Sequence, residues 1–168
     1  MTTTEELLTE FEREAATTRK HLERLPDDKL TWKPHEKSFT AGGLASHLVE
    51  CIRWADSILN HNETDVNPAE YKSYNATSQA DLLRTFDDEV AKCKQALKSI
   101  SDSQLSDPWR LKLMGKTRFE KPKWIVFRDF TLSHLIHHRG QFSVYLRLLD
   151  LPVPGSYGPS ADEMANFK

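Results

Sequence analysis

The chain has 168 residues, of which 38% are apolar, 29% charged and 10% aromatic, with 6 Gly and 8 Pro; this suffices for one core and fits neither a disordered nor a collagen-like chain. Lys and Arg total 23 against 25 Asp and Glu, and a net charge of −2 argues against nucleic acid or anionic membrane as a partner bound by bulk electrostatics. A single soluble domain over residues 1–168 is expected. The longest apolar stretches, such as Trp124 to Phe127, are far shorter than the roughly 20 residues of a membrane-spanning helix. Met1 to Glu6 lacks the basic and apolar regions of a signal peptide, so a cytoplasmic location is expected. Cys51 and Cys93 are too few for a disulfide framework and read as reduced, buried, small apolar side chains on helical patterns.

Thr3 and Glu6 resemble a capping box, and Leu7, Leu8, Phe11, Ala15, Leu22 and Leu25 recur at helical spacing, predicting a first helix over about 4–25. Pro26 to Phe39 suits an ordered connection pinned by Trp32. Thr40 caps a second predicted helix, whose inner stripe is Leu44, His47, Leu48, Cys51, Ala55, Ile58 and Leu59 and which ends near Asn60. His61 to Thr77 is polar and reads as a surface connection. Ser78 and Asp81 then open a third helix that ends near Ser101. Residues 101–121, with Pro108, Gly115 and an alternating stretch around Leu111, predict an irregular or hairpin insertion. Pro122 starts a fourth helix that runs through Gly140 to Leu149, the glycine suggesting close packing, and the Pro- and Gly-rich tail from Leu151 must wrap or fray. The expected class is all-α, a four-helix bundle.

Helix four carries His134-Leu135-Ile136-His137-His138, and residues four apart share a helical face, so His134 and His138 can aim at one point. His47, taken alone, reads as a hydrogen-bonded core residue. Together with an inward pair it is harder to explain as packing, because three buried imidazoles each need a partner and one divalent ion satisfies all three. His137 points about 100° away round the helix. His21, His35 and His61 fall on polar patterns and are expected in solvent.

Other residues have two readings each. Gln141 and Tyr145 lie at i+7 from His134 and His138, either lining the open side of an ion or serving as ordinary amphipathic bundle residues. Glu50, three residues after His47, is a fourth ligand, an orienting partner or a solvated glutamate. Arg139 reads best as half of a structural ion pair. Residues 110–128 hold seven Lys or Arg and one acid, yet no base-reading motif accompanies them. A di-iron bundle requires inward Glu-x-x-His pairs, which helix four lacks.

The chain resembles the DinB family of metal-binding helical bundles. The likeness rests on Gly43-Leu44-Ala45-Ser46-His47-Leu48, on His134-Leu135-Ile136-His137-His138-Arg139-Gly140-Gln141, and on Tyr157-Gly158-Pro159-Ser160-Ala161-Asp162-Glu163. The resemblance implies an up-down-down-up bundle, metal ligands His47, His134 and His138, and a divalent ion, Ni or Zn first, then Fe or Mn. It also implies frequent homodimers. Some members use a low-molecular-weight thiol in S-transfer to an electrophile, which leaves two functional expectations, such a transferase or a metal-binding stress protein without turnover. No catalytic residue is assigned.

Overall fold

A computed structural model describes residues 2–165; Met1 and residues 166–168, the ends of the expected domain, lie outside the described residues. Helix α1 (Thr3–Leu22) starts one residue earlier than the sequence suggests. Its capping box is Thr2 with Glu5, and the Asp102 carboxylate accepts from the free N–H groups of Thr3 (3.0 Å) and Thr4 (2.9 Å). A short 3-10 turn (Asp27–Lys29) leads to α2 (Ala41–Asn60), capped by the Thr40 hydroxyl on Gly43 N–H. Helix α3 (Gln79–Ser99) is capped by Ser78, and α4 (Asp102–Leu105) by Ser101. The last long helical stretch has three parts: α5 (Lys123–Phe127), a π-helical turn (Arg128–Ser133) and α6 (His134–Leu148). A single turn, α7 (Ala161–Met164), ends the described chain. Helices α1, α2, α3 and α6 pack on one another around a core that includes Phe11, Leu44, Leu48, Phe86, Leu97, Leu135 and Phe142. No helix among the described residues is long and apolar enough to cross a membrane.

The expectation of an all-α, simple four-helix bundle is overturned. The chain carries a three-stranded mixed sheet, β1 (Glu63–Val66), β2 (Pro108–Leu113) and β3 (Lys116–Pro122), in the order β1-β2-β3, and it adds short helices to the long ones. Strands β2 and β3 form the antiparallel hairpin, joined at Met114-Gly115, where both residues have positive φ (51° and 77°). That is the geometry of a tight type I′ turn, but with Met rather than Asn or Asp at its first central position. The short, polar sequence of strand β1 suggests a loop; it adds to β2 in parallel, through a pairing 47 residues away along the chain (Glu63 with Arg110). Its Asp65 carboxylate also accepts the Gly115 N–H (2.9 Å).

Sheet and helices are joined by aromatic packing. Trp109 on β2 is fully buried, its indole N–H donates to the Ser57 carbonyl of α2 (3.0 Å), and its ring meets Trp54 and Phe119. Phe130, in the π turn, packs against both Trp54 and Phe119. The sheet therefore clamps the C-terminal half of α2 to the turn that leads into His134. Several basic residues of 110–128 are engaged in ion pairs: Arg110 with Glu120, Lys112 with Glu63, Lys121 with Asp129 and Arg128 with Glu10.

Gly140 departs from expectation, because it is exposed and a Cβ built there meets nothing within 4 Å. Glycine in a helix interior costs about 1 kcal/mol relative to alanine. Gly140→Ala is therefore expected to raise the unfolding free energy by about 0.5–1 kcal/mol in a urea titration.

His21 is not in solvent but fully buried; its Nδ1 meets the Thr17 carbonyl (2.9 Å) and its Nε2 has no partner among the described residues. Burial, with the charges of Arg139 and Arg24, lowers its pKa against the opposing effects of the Thr17 hydrogen bond and Glu163. The unfolded chain therefore takes up a proton near pH 6.5 that the folded chain refuses. Stability is expected to fall as pH drops below about 6.5, by at most about 1.4 kcal/mol per pH unit for this one group. His21→Leu should remove that part of the acid limb, seen by comparing denaturant midpoints at several pH values.

Candidate metal centre

The helical register brings two i,i+4 pairs face to face, His47 and Cys51 on α2 and His134 and His138 on α6. The π turn sets the rotation of α6, since its wider turn ends at Ser133, immediately before His134; such turns recur at functional sites. His47 Nε2 and His134 Nε2 stand 3.3 Å apart. The ring of His138 lies with its centroid 4.5 Å from that of His47 and 4.7 Å from that of His134. Ligand atoms of His47, Cys51 and His134 all fall within 4.8 Å of one another, a group able to hold a metal ion.

Hydrogen bonds fix which nitrogens face inward. Glu50 is buried, and its Oε2 accepts from His47 Nδ1–H (3.2 Å), while its Oε1 accepts from Tyr74 N–H (2.9 Å) and Tyr71 OH (3.3 Å). Burial works to raise the Glu50 pKa, but the bonds from His47, Tyr74 and Tyr71 together outweigh it, so the carboxyl ionises below its usual range. With the proton on Nδ1, His47 turns a lone pair on Nε2 toward His134. His134 Nε2 faces that lone pair and is a donor to it in its Nε2–H tautomer and a second acceptor in its Nδ1–H tautomer. In the Nε2–H tautomer the 3.3 Å contact is an N–H···N hydrogen bond, and in the Nδ1–H tautomer both nitrogens offer lone pairs to a cation. Ligands held 2.0–2.1 Å from a tetrahedral ion are separated by about 3.3 Å, so the donor pair fits a divalent metal.

Burial, reinforced by the charge of His47, lowers the pKa of His134. Burial likewise lowers His138, to about 4, against the opposing effect of its hydrogen bond to Gln141. Both rings are neutral at pH 7, the form that coordinates. Burial, with the adjacent Glu50, pushes the Cys51 thiol up to about 12.

Of the remaining candidates, Gln141 sits beside the cluster, its Oε1 accepting from His138 Nδ1–H (2.8 Å). Tyr145 is turned elsewhere: its hydroxyl donates to the Phe39 carbonyl (3.2 Å) and its ring meets the edge of Trp32. His137 is exposed. Arg139 points to the opposite side, into the core against Glu14 (2.7 Å). Cys51 is the residue that sequence reasoning passed over, although its spacing from His47 equals that from His134 to His138. Tyr71 and Tyr74 gave no local signal, since they reach Glu50 only through the fold. A cavity of about 440 Å³ is lined by residues that include Glu50, Arg53, Trp54, Ser57, Tyr71 and Lys72; it shares Glu50 with the site, and His47, Cys51, His134 and His138 are not part of its lining.

A mainly helical protein with a small mixed sheet and a His/Cys cluster suited to a divalent ion is the class that these features define. The family model described as "DinB family" matches residues 1–167, and the chain belongs to that family. It is 30% identical over 167 residues to the uncharacterized protein YrdA of Bacillus subtilis (strain 168), covering 98% of this chain and 94% of that one. Its structure is similar to that of a DinB-like protein from Bacillus cereus ATCC 10987, with a TM-score of 0.71 and 26% identity over 89% of this chain and 95% of that chain. The DinB-like protein YjoA of Bacillus subtilis shares the fold, with a TM-score of 0.66 and 19% identity over 86% and 92% of the two chains.

Proposed function

We propose that the protein holds one divalent ion through His47, His134 and His138 and uses it in S-transfer from a low-molecular-weight thiol to a small electrophile. The observation that carries the metal is the clustering of donor atoms, with His47 Nε2 and His134 Nε2 3.3 Å apart and Cys51 Sγ within 4.8 Å of both rings' donors. Three neutral imidazoles leave a coordination position open, and an ion there lowers the pKa of a bound thiol so that the more nucleophilic thiolate is present at neutral pH. The residues of this chain supply the rest. Glu50 holds His47 in the coordinating tautomer, and Gln141 does the same for His138.

A second reading, a metal-binding protein without turnover, is favoured by one observation: the buried Cys51 joins His47 and His134 in one group of donors within 4.8 Å of one another. Metal analysis of untagged protein, followed by thiol-depletion assays with small electrophiles, tests both. The transferase reading expects about one ion per chain and thiol consumption that stops on chelation. An ion-loaded protein that consumes no thiol supports the second reading, and protein that takes up no divalent ion at neutral pH overturns both.

A further inference from the structure

The geometry points to Cys51 as a fourth metal ligand, making the donor set three nitrogens and one sulfur. The inference rests on the proposed metal centre and goes beyond it in naming a ligand. Cys51 lies one helical turn beyond His47, is fully buried, and has its Sγ within 4.8 Å of the donor nitrogens of both His47 and His134. Nitrogen and sulfur donors on one tetrahedral ion stand about 3.6 Å apart, given bonds of roughly 2.0 and 2.3 Å. The side chain is therefore within about an ångström of a bonding position.

Charge supports the same conclusion. Three imidazoles are neutral, so a divalent ion held by them alone would place two positive charges between packed helices, where uncompensated charge is costly. Glu50, bonded to His47, supplies one negative charge. A coordinated thiol is deprotonated by the ion and supplies the other. A sulfur donor also narrows the metal, since thiolate suits zinc, cobalt or nickel better than manganese, which prefers oxygen. With four protein donors the resting site is coordinatively complete, and a substrate thiol has to compete with Cys51 for the ion.

Cobalt(II) is the probe, added to untagged, metal-free, full-length protein. The expected result is a sulfur-to-cobalt charge-transfer band in the near ultraviolet, alongside the visible ligand-field bands of a tetrahedral ion. Cys51→Ser should lose the charge-transfer band while still binding one cobalt, and Cys93→Ser, altered at the other buried thiol, should keep it. A wild type that binds cobalt without the sulfur band overturns the inference and leaves the three-histidine centre standing. A band that survives in Cys51→Ser overturns it equally. Failure to bind cobalt at all defeats the metal centre on which it rests. The wild-type spectrum decides the matter even where a variant folds poorly.

Discussion

Arg139→Met is expected to cost about 3–5 kcal/mol of stability, the usual penalty for removing one partner of a buried ion pair. Arg139 and Glu14 are each 1% exposed. The guanidinium bonds the Glu14 carboxylate at 2.7 Å, the Glu14 carbonyl at 3.1 Å and the Tyr157 hydroxyl at 2.9 Å, and Tyr157 in turn donates to Glu14 Oε2 at 2.9 Å. Loss of the cation leaves a buried carboxylate held only by the Tyr157 hydroxyl (2.9 Å) and by Arg13, a mostly exposed side chain at 3.3 Å. In a domain of 168 residues this penalty lowers the melting temperature by roughly 6–20 °C. Replacing both partners, Arg139→Met with Glu14→Leu, removes the stranded charge as well, so the double variant should be more stable than the sum of the single losses predicts. A single Arg139→Met within 1 kcal/mol of wild type would show that the network is not what holds α6 against α1.

This network explains why a contiguous sequence motif carries two separate jobs. Successive helical residues diverge by about 100°, so when Arg139 is anchored toward α1, its neighbour His138 is turned toward α2 and the cluster. Tyr157 ties the tail to the same anchor, and Asp162 adds a second tie through Arg147 (2.8 Å) and the Val153 N–H (2.8 Å). The tail motif thus wraps the helices as an ordered strap.

The long helices were legible because apolar periodicity and side-chain caps are local signals: Thr40 and Ser78 cap where the sequence suggests. The sheet was not, because β1 is four polar-biased residues whose pairing partner lies far along the chain, and pairing at that distance leaves little trace in composition. The π turn left none at all. Residues 128–133 read as ordinary helix, and the extra backbone residue is tolerated because Phe130 is held by Trp54 and Phe119. The polar residues around His21 suggest a solvent-facing position, whereas the folded chain buries it completely. At the site, spacing alone brought His134 and His138 to notice, whereas the roles of Glu50 and Gln141 depended on hydrogen bonds that admit several alternatives from sequence.

The ligand assignment makes a graded prediction for metal affinity, measured by competition with a chelator on untagged protein. On the proposed assignment His47→Ala, His134→Ala and His138→Ala each remove a donor, and they should weaken binding more than any change outside the ligand set. Glu50→Gln keeps the shape but loses the negative charge and the fixed tautomer of His47; outer partners of this kind are worth roughly 10–100-fold in affinity. His137→Ala should leave affinity and stoichiometry unchanged, because His137 is exposed and lies on another face of α6. The ordering separates a metal centre from three rings that merely pack, since packing gives Glu50 no influence on an ion. If His137→Ala is as damaging as His134→Ala, or if Glu50→Gln binds as wild type does, the ion is not where His47 and His134 face each other.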